Sequence, residues 1–144
     1  MIGALLLSIS MVVAGVDGSH EPRQPLPTIY GIATWYAPRN NPWYLRDGTG
    51  FKLANQRGAP YFRYAAAGPA LRNLKPFKWG AKPYRIRITS MRTGKIAYAW
   101  VVDTCACNSK DRPHLVDLAP IVFSQDLGVR LGIGIQRVKI EVMP

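Results

Sequence analysis

Two alternating segments around a short turn constrain the fold more than any other feature of this chain. In YRIRITS, residues 84–90, a tyrosine and two isoleucines alternate with polar side chains. A glycine-containing turn at 91–95 follows, and IAYAWVVD, residues 96–103, alternates again. Because a period of two is typical of strands with one buried face, the two runs predict a β-hairpin. Trp100 lies on the face with the larger side chains and is expected in the core.

The rest of the chain predicts further short strands and long loops. Its 144 residues suit one domain, and 13 Gly, 12 Pro, seven Tyr and four Trp favour turns and strands over helices. We predict a strand at 28–37, a short apolar piece at 61–68, one helix near 119–127 and a last strand at 135–143 with a bulge near Arg137. The predicted class is all-β, a small closed barrel with one short helix, because closure removes exposed strand edges.

The N-terminal part divides into two segments. Residues 1–16 are apolar apart from two serines, which fits either a signal or anchor segment or an arm that docks on a partner. Residues 17–27 contain three prolines and form a linker. The folded domain is expected over 28–144.

The formal net charge of +11 favours anionic partners. The basic residues are spread from Arg23 to Lys139 and accompany no nucleic-acid-binding motif, so we expect no specific nucleic-acid partner.

Five segments resemble, in their order, the double-psi β-barrels of the RlpA, expansin and barwin-like kind. They are GIATWYA, YAAAGPAL, the hairpin ending in VVDTCACN, LVDLAPIVFSQDLG and IGIQRVKIEV. The resemblance covers residues 30–143 and implies a six-stranded double-psi β-barrel. It also implies an extracellular or cell-envelope domain that acts on wall polysaccharide such as peptidoglycan.

Matching the motifs residue by residue, the resemblance implies a groove lined by Thr34, Asp103 and Asp117. The two aspartates are the candidate catalytic pair, because glycoside cleavage normally uses one protonated and one charged carboxyl. Trp35, Tyr36 and Trp43 are candidates for stacking on sugar rings. Asp117 has an alternative role as the N-cap of the predicted helix, and both interpretations stay open.

The chain departs from the family pattern at three places. GFKLANQRGAP lacks the family glutamate, Gly68 stands where the family has a histidine, and Ala119 replaces a serine. These losses favour glycan binding with weak or absent cleavage. If the domain is an enzyme, it resembles a lytic transglycosylase or glycoside hydrolase. The alternative is a structural module of a larger assembly, such as a virion tail, with residues 1–27 as the contact.

Cys105 and Cys107 are the only cysteines of the chain. One residue apart, they are poorly placed to bridge each other, and we expect loop residues or a pairing with another chain. With His114 they suggest zinc only weakly, since structural zinc sites show two well-spaced ligand pairs. We therefore expect no metal and no cofactor.

Overall fold

The computed structural model describes residues 25–36, 63–78, 81–107 and 112–144. Within these ranges six strands form a closed barrel. They are β1 (Thr28–Trp35), β2 (Tyr64–Ala67), β3 (Tyr84–Ser90), β4 (Ile96–Thr104), β5 (His114–Leu118) and β6 (Ile135–Val142). A short helix α1 (Pro69–Leu74) follows β2, and a π-helical turn (Val122–Asp126) and a 3-10 turn (Leu131–Ile133) lie between β5 and β6. The apolar segment 1–16, most of the linker 17–27 and Trp43 lie outside the described residues.

The strands follow one another around the barrel in the order β1-β5-β2-β4-β3-β6. β1 pairs with β5 and β2 with β4 in parallel, and the remaining neighbours are antiparallel. The predicted all-β class and six-stranded closed barrel are confirmed. Since every strand has two neighbours, no backbone edge of these strands is left to pair with another molecule.

The predicted hairpin is β3 and β4, joined by a turn in which Gly94 has a φ of 72°. The core face of β4 is the opposite of the one expected from side-chain size. Small residues point inward, because the inside of a narrow barrel is already filled from all strands. The larger residues lie outside: Ile96 and Tyr98 are exposed, and Trp100 is half-buried at the margin of the core.

Strand β6 is regular, and the bulge expected near Arg137 is absent. Its register with β1 runs without a shift from Glu141 opposite Thr28 to Ile135 opposite Thr34. The alternation of β6 shows a slip only if Ile135 is taken to face the core. In the structure Ile135 is 46% exposed and the polar neighbour Gln136 is 4% exposed, so the inward set begins at Gln136.

The segment after β5 forms less helix than expected. One turn begins at Pro120, passes into the π-helical turn and ends before Gly128, whose φ is 72°. Asp117 lies within β5 rather than at a helix start. The capping interpretation of Asp117 is therefore wrong: its side chain contacts Thr34, His114 and Cys107.

Two glycines allow the chain to cross itself beside β5. A Cβ on Gly68 would lie 2.3 Å from the carbonyl oxygen of His114, and a Cβ on Gly31 would lie 2.3 Å from that of Pro113. The Gly68 amide donates to the Leu115 carbonyl at 2.8 Å, and the Ile32 amide donates to the Pro113 carbonyl at 2.9 Å. Glycine is required at both positions because backbone, not a flexible side chain, occupies the space.

We expect Gly68→Ala to destabilise the barrel by about 2 kcal/mol, because the new methyl group must displace the β5 backbone. Urea unfolding followed by tryptophan fluorescence measures the change. Gly132→Ala is the matched control: nothing lies within 4 Å of its added Cβ, and its effect should stay within about 0.5 kcal/mol. Equal stability of the two variants would contradict the close crossing.

Candidate functional site

Ala66, on β2, stands between the two aspartates predicted from the sequence. It pairs with Asp117 of β5 on one side and with Asp103 of β4 on the other. Neighbouring strands lie about 4.8 Å apart, so the two aspartate Cα atoms are about 10 Å apart across one strand. The topology thus brings the two carboxylates to the same level of the barrel.

A bulge precedes each aspartate. β4 uses Val101 opposite Ala65 and then Asp103 opposite Ala66, so Val102 is an extra residue in the pairing. In the same way, β5 pairs His114 with Ile32 and then Val116 with Ala33. Bulges turn the following side chains away from the regular alternation. The two bulges therefore set the direction of both carboxylates.

The Asp117 carboxylate lies in a compact polar cluster at the end of β1. The Thr34 hydroxyl donates to its Oδ1, and the His114 Nε2 lies 3.3 Å from the same oxygen. The Thr34 oxygen is also 2.8 Å from His114 Nε2. With the Thr34 hydroxyl directed to Asp117, a proton on His114 Nε2 would complete the cluster by donating to the Thr34 oxygen.

Asp103 is the more deeply placed carboxyl, with 9% of its surface exposed. Its Oδ1 accepts from the Thr104 amide at 2.8 Å, and its Oδ2 accepts from the Tyr36 hydroxyl at 3.4 Å. Burial raises the pKa of Asp103, and the two hydrogen bonds oppose that rise only in part. Asp103 thus retains its proton to a higher pH than an exposed aspartate.

Tyr36 contacts both Asp103 and Tyr64, and stacking of its half-buried ring on a sugar stays a prediction. Burial, followed by the charge of Asp103, raises the pKa of Tyr36 well above its ordinary value, so the hydroxyl remains a donor. The Tyr36 ring meets the ring of Tyr64 edge to face, with centroids 5.3 Å apart, and the Tyr64 hydroxyl donates to the Tyr36 carbonyl at 3.2 Å.

Trp35 also has structural contacts. Its indole N–H donates to the Leu131 carbonyl at 2.9 Å, and its half-buried ring packs against the core. Stacking of Trp35 on a sugar ring remains a prediction, as does that of Trp43, which lies outside the described residues.

Cys105 and Cys107 form a disulfide with each other, which corrects the expectation that they do not pair. The Cys105 amide donates to the Ala67 carbonyl at 3.0 Å, which extends the pairing of β4 with β2 as far as the first cysteine. The Cys107 sulfur lies 3.5 Å from Asp117 Oδ2. The two sulfurs and an Asp117 oxygen lie within 4.8 Å of one another, but sulfurs joined in a disulfide are not the thiolates that bind zinc.

Comparison with solved structures identifies the architecture. A mutant expansin of Clavibacter michiganensis in complex with cellohexaose superposes with a TM-score of 0.54 at 19% identity, over 81% of this chain and 50% of the expansin. The apo expansin of the same organism gives a TM-score of 0.52 at 21% identity over the same shares.

The fold is the double-psi β-barrel of the expansin type. This barrel spans about half the length of the expansins that it matches. No family model and no curated protein matches the sequence. Among the described residues, no helix is long and apolar enough to cross a membrane.

In the structure His114 lies beside Thr34 and Asp117, although the sequence did not predict it as a groove residue. Three positions apart on a regular strand, His114 and Asp117 would face opposite ways, and only the bulge at Leu115 brings them together. The sequence did contain a signal: an apolar pair, Val-Val or Leu-Val, breaks the alternation directly before each aspartate. An imidazole therefore lies beside Thr34 and Asp117, although Gly68 stands where the family has histidine.

Asp103→Asn should make stability less dependent on pH. Because the folded pKa of Asp103 lies above its unfolded value, the folded protein binds more protons between the two values, and stability falls as pH rises through that interval. The asparagine variant lacks this loss. Relative to the parent, it should therefore gain stability from about pH 4 to neutral pH. Urea unfolding at several pH values tests this, and parallel curves for the two proteins would contradict it.

The disulfide predicts a defined pattern of alkylation. Iodoacetamide should modify neither cysteine in the folded, unreduced protein and both after reduction, as read by intact mass. Modification before reduction, or a disulfide-linked dimer on a non-reducing gel, would contradict the Cys105–Cys107 bond.

Proposed function

We propose that this domain binds a wall polysaccharide in the groove that holds Asp103, Asp117 and Thr34, with weak or absent cleavage. The ligand class is a β-1,4-linked glycan, either the glycan strand of peptidoglycan or cellulose. Such a role implies an extracellular or cell-envelope location. The single observation that carries the proposal is the pair of aspartates on either side of Ala66, in a barrel of the expansin fold.

The comparison supports the ligand class. The expansin that shares this fold was crystallised with cellohexaose, a neutral β-1,4-linked glucan. Carboxylates and hydroxyls are suitable partners for sugar hydroxyls, since they accept and donate hydrogen bonds in fixed directions. Asp117 and Thr34 supply these groups together, because β1 and β5 are paired at this level.

The geometry favours binding over turnover. Asp103, with its raised pKa, has the character of a proton donor. A hydrolase also needs a second carboxylate free to act as base or nucleophile. Asp117 is poorly suited to that part, because Thr34 and His114 engage its Oδ1 and the Cys107 sulfur lies against its Oδ2. The absence of the family glutamate from GFKLANQRGAP also favours binding over cleavage.

The alternative function, a module of a virion or another assembly, rests on the apolar residues 1–16. These residues lie outside the described part of the chain, whereas the groove is built from described residues. Glycan binding is therefore the function that we propose.

A sedimentation assay on insoluble peptidoglycan and on cellulose, at low and at high salt, tests the proposal. We expect the parent to bind at least one polymer and to release little or no soluble sugar. Asp117→Asn should weaken binding about tenfold, the usual cost of losing a charge-assisted hydrogen bond. Trp43→Ala tests the predicted stacking, and its effect should persist at high salt because stacking is not screened.

Asp126→Asn is the matched control, since the Asp126 side chain pairs with the exposed Arg63 and forms no hydrogen bond with Thr34, Asp103 or Asp117. It should bind like the parent, because exposed ion pairs contribute little. Release of soluble sugar that disappears in Asp103→Asn would make the domain a glycan-cleaving enzyme. Failure to bind either polymer at any salt would refute the groove proposal.

A further inference from the structure

A second concave site lies beside the paired strands β1 and β6, and its lining combines exposed residues with the buried Ile32, Gln136 and Val138. It is a cavity of about 620 Å³, within the range of about 300–1,000 Å³ typical of small-molecule sites. Its lining includes neither groove aspartate nor Thr34 nor His114. It borders the groove, because its lining residue Ile135 pairs with Thr34 and its lining residue Ile32 pairs with His114.

Three arginines from separate segments converge on this cavity. Arg92 comes from the turn after β3, Arg112 from the segment before β5, and Arg137 from β6. All three are exposed, and among the described residues none forms an ion pair within 4 Å. Among the described residues that line the cavity, none is acidic. Like charges held together in a concavity concentrate a positive potential and attract an anion.

The cavity also gathers exposed apolar side chains. Tyr30 is 59% exposed, Met91 57% and Ile135 46%, and all three line it. They are three of the seven large hydrophobic residues that are exposed in the described part of the chain. Their grouping beside the arginines suits a ligand that combines an anionic group with an apolar face, as a sugar ring carrying a carboxylate does.

The buried side-chain amide of Gln136 is a third feature that favours a binding site here. It lines the cavity and is 4% exposed, yet neither its Nε2 nor its Oε1 has a hydrogen-bond partner among the described residues. A buried amide without a partner costs free energy. A ligand hydroxyl that reached it would recover that cost.

We propose that this cavity is a second binding site, selective for a carboxylate-bearing glycan, that is, a uronate chain. Guanidinium groups match carboxylates with two parallel hydrogen bonds, which favours Arg92, Arg112 and Arg137 as carboxylate ligands. Tyr30 offers a ring to the sugar face, and the Gln136 amide pairs with a hydroxyl. The cavity lining does not include Thr34, Asp103, Asp117 or His114, so substitutions can test the two sites separately.

Titration calorimetry with tetragalacturonate tests the site, with cellotetraose as the neutral counterpart and tetraglutamate as an anion of equal charge without sugar rings. We expect tetragalacturonate to bind more tightly than either. Arg137→Gln and Arg112→Gln should each weaken it about tenfold, the equivalent of one charge-assisted pair. Arg130→Gln is the matched control, because Arg130 is exposed and lies outside the cavity; its affinity should stay within about twofold of the parent.

Gln136→Met separates binding from folding. Replacing an unpartnered buried amide by an apolar side chain of similar size should raise the melting temperature of the free protein while weakening tetragalacturonate binding. A lower melting temperature with unchanged binding would show that Gln136 is partnered and has no part in the site.

Three other outcomes would overturn the proposal. If Arg130→Gln and Arg137→Gln bind tetragalacturonate equally well, the binding is explained by general attraction to the +11 chain and not by this cavity. Equal binding of tetraglutamate would remove the selectivity for sugar, and no binding of tetragalacturonate would remove the site. Asp117→Asn distinguishes the two proposals, because it should weaken neutral glycan binding and leave tetragalacturonate binding unchanged.

Discussion

The site depends on two parallel strand pairings that are each interrupted by one extra residue. β1 pairs with β5 around Leu115, and β2 pairs with β4 around Val102. Both extra residues are fully buried, so the core holds the bulges in place. Without them, the strands would follow a simple alternation and His114 would face away from Asp117. Burial of Leu115 and Val102 thus fixes the bulges, and the bulges set the direction of the Asp117 and Asp103 side chains.

The two aspartates are placed alike but have different surroundings. Asp103 is buried under Tyr36 and has a raised pKa, whereas Asp117 is 21% exposed and engaged by Thr34 and His114. A carboxyl with a raised pKa beside Tyr36 and a carboxyl contacted by Thr34 and His114 together offer hydrogen-bonding groups to a hydroxyl-rich ligand. The Cys107 sulfur of the disulfide lies 3.5 Å from Asp117 Oδ2.

Strand β1 connects the two candidate surfaces. Thr34, near its C-terminal end, lies with Asp117 and His114, whereas Tyr30 and Gly31, nearer its start, line the arginine cavity. The same short strand therefore contributes to both proposed sites.

The sequence by itself determined the barrel class, the β3–β4 hairpin and the identity of Thr34, Asp103 and Asp117 as residues to examine. Alternation and turn residues are local properties, so strands and turns can be predicted from them without tertiary information. Errors arose where burial is decided by neighbours in space. Gln136 is buried and Ile135 exposed because β6 is fixed between β1 and β3, and the small side chains of β4 point inward because the barrel interior is narrow. The tertiary structure alone decided that His114 joins Asp117, that Cys105 bonds to Cys107, and that three arginines distant in the chain meet in one cavity. Each of these depends on a bulge, a crossing or a strand order, and none of them leaves a periodic pattern in the sequence.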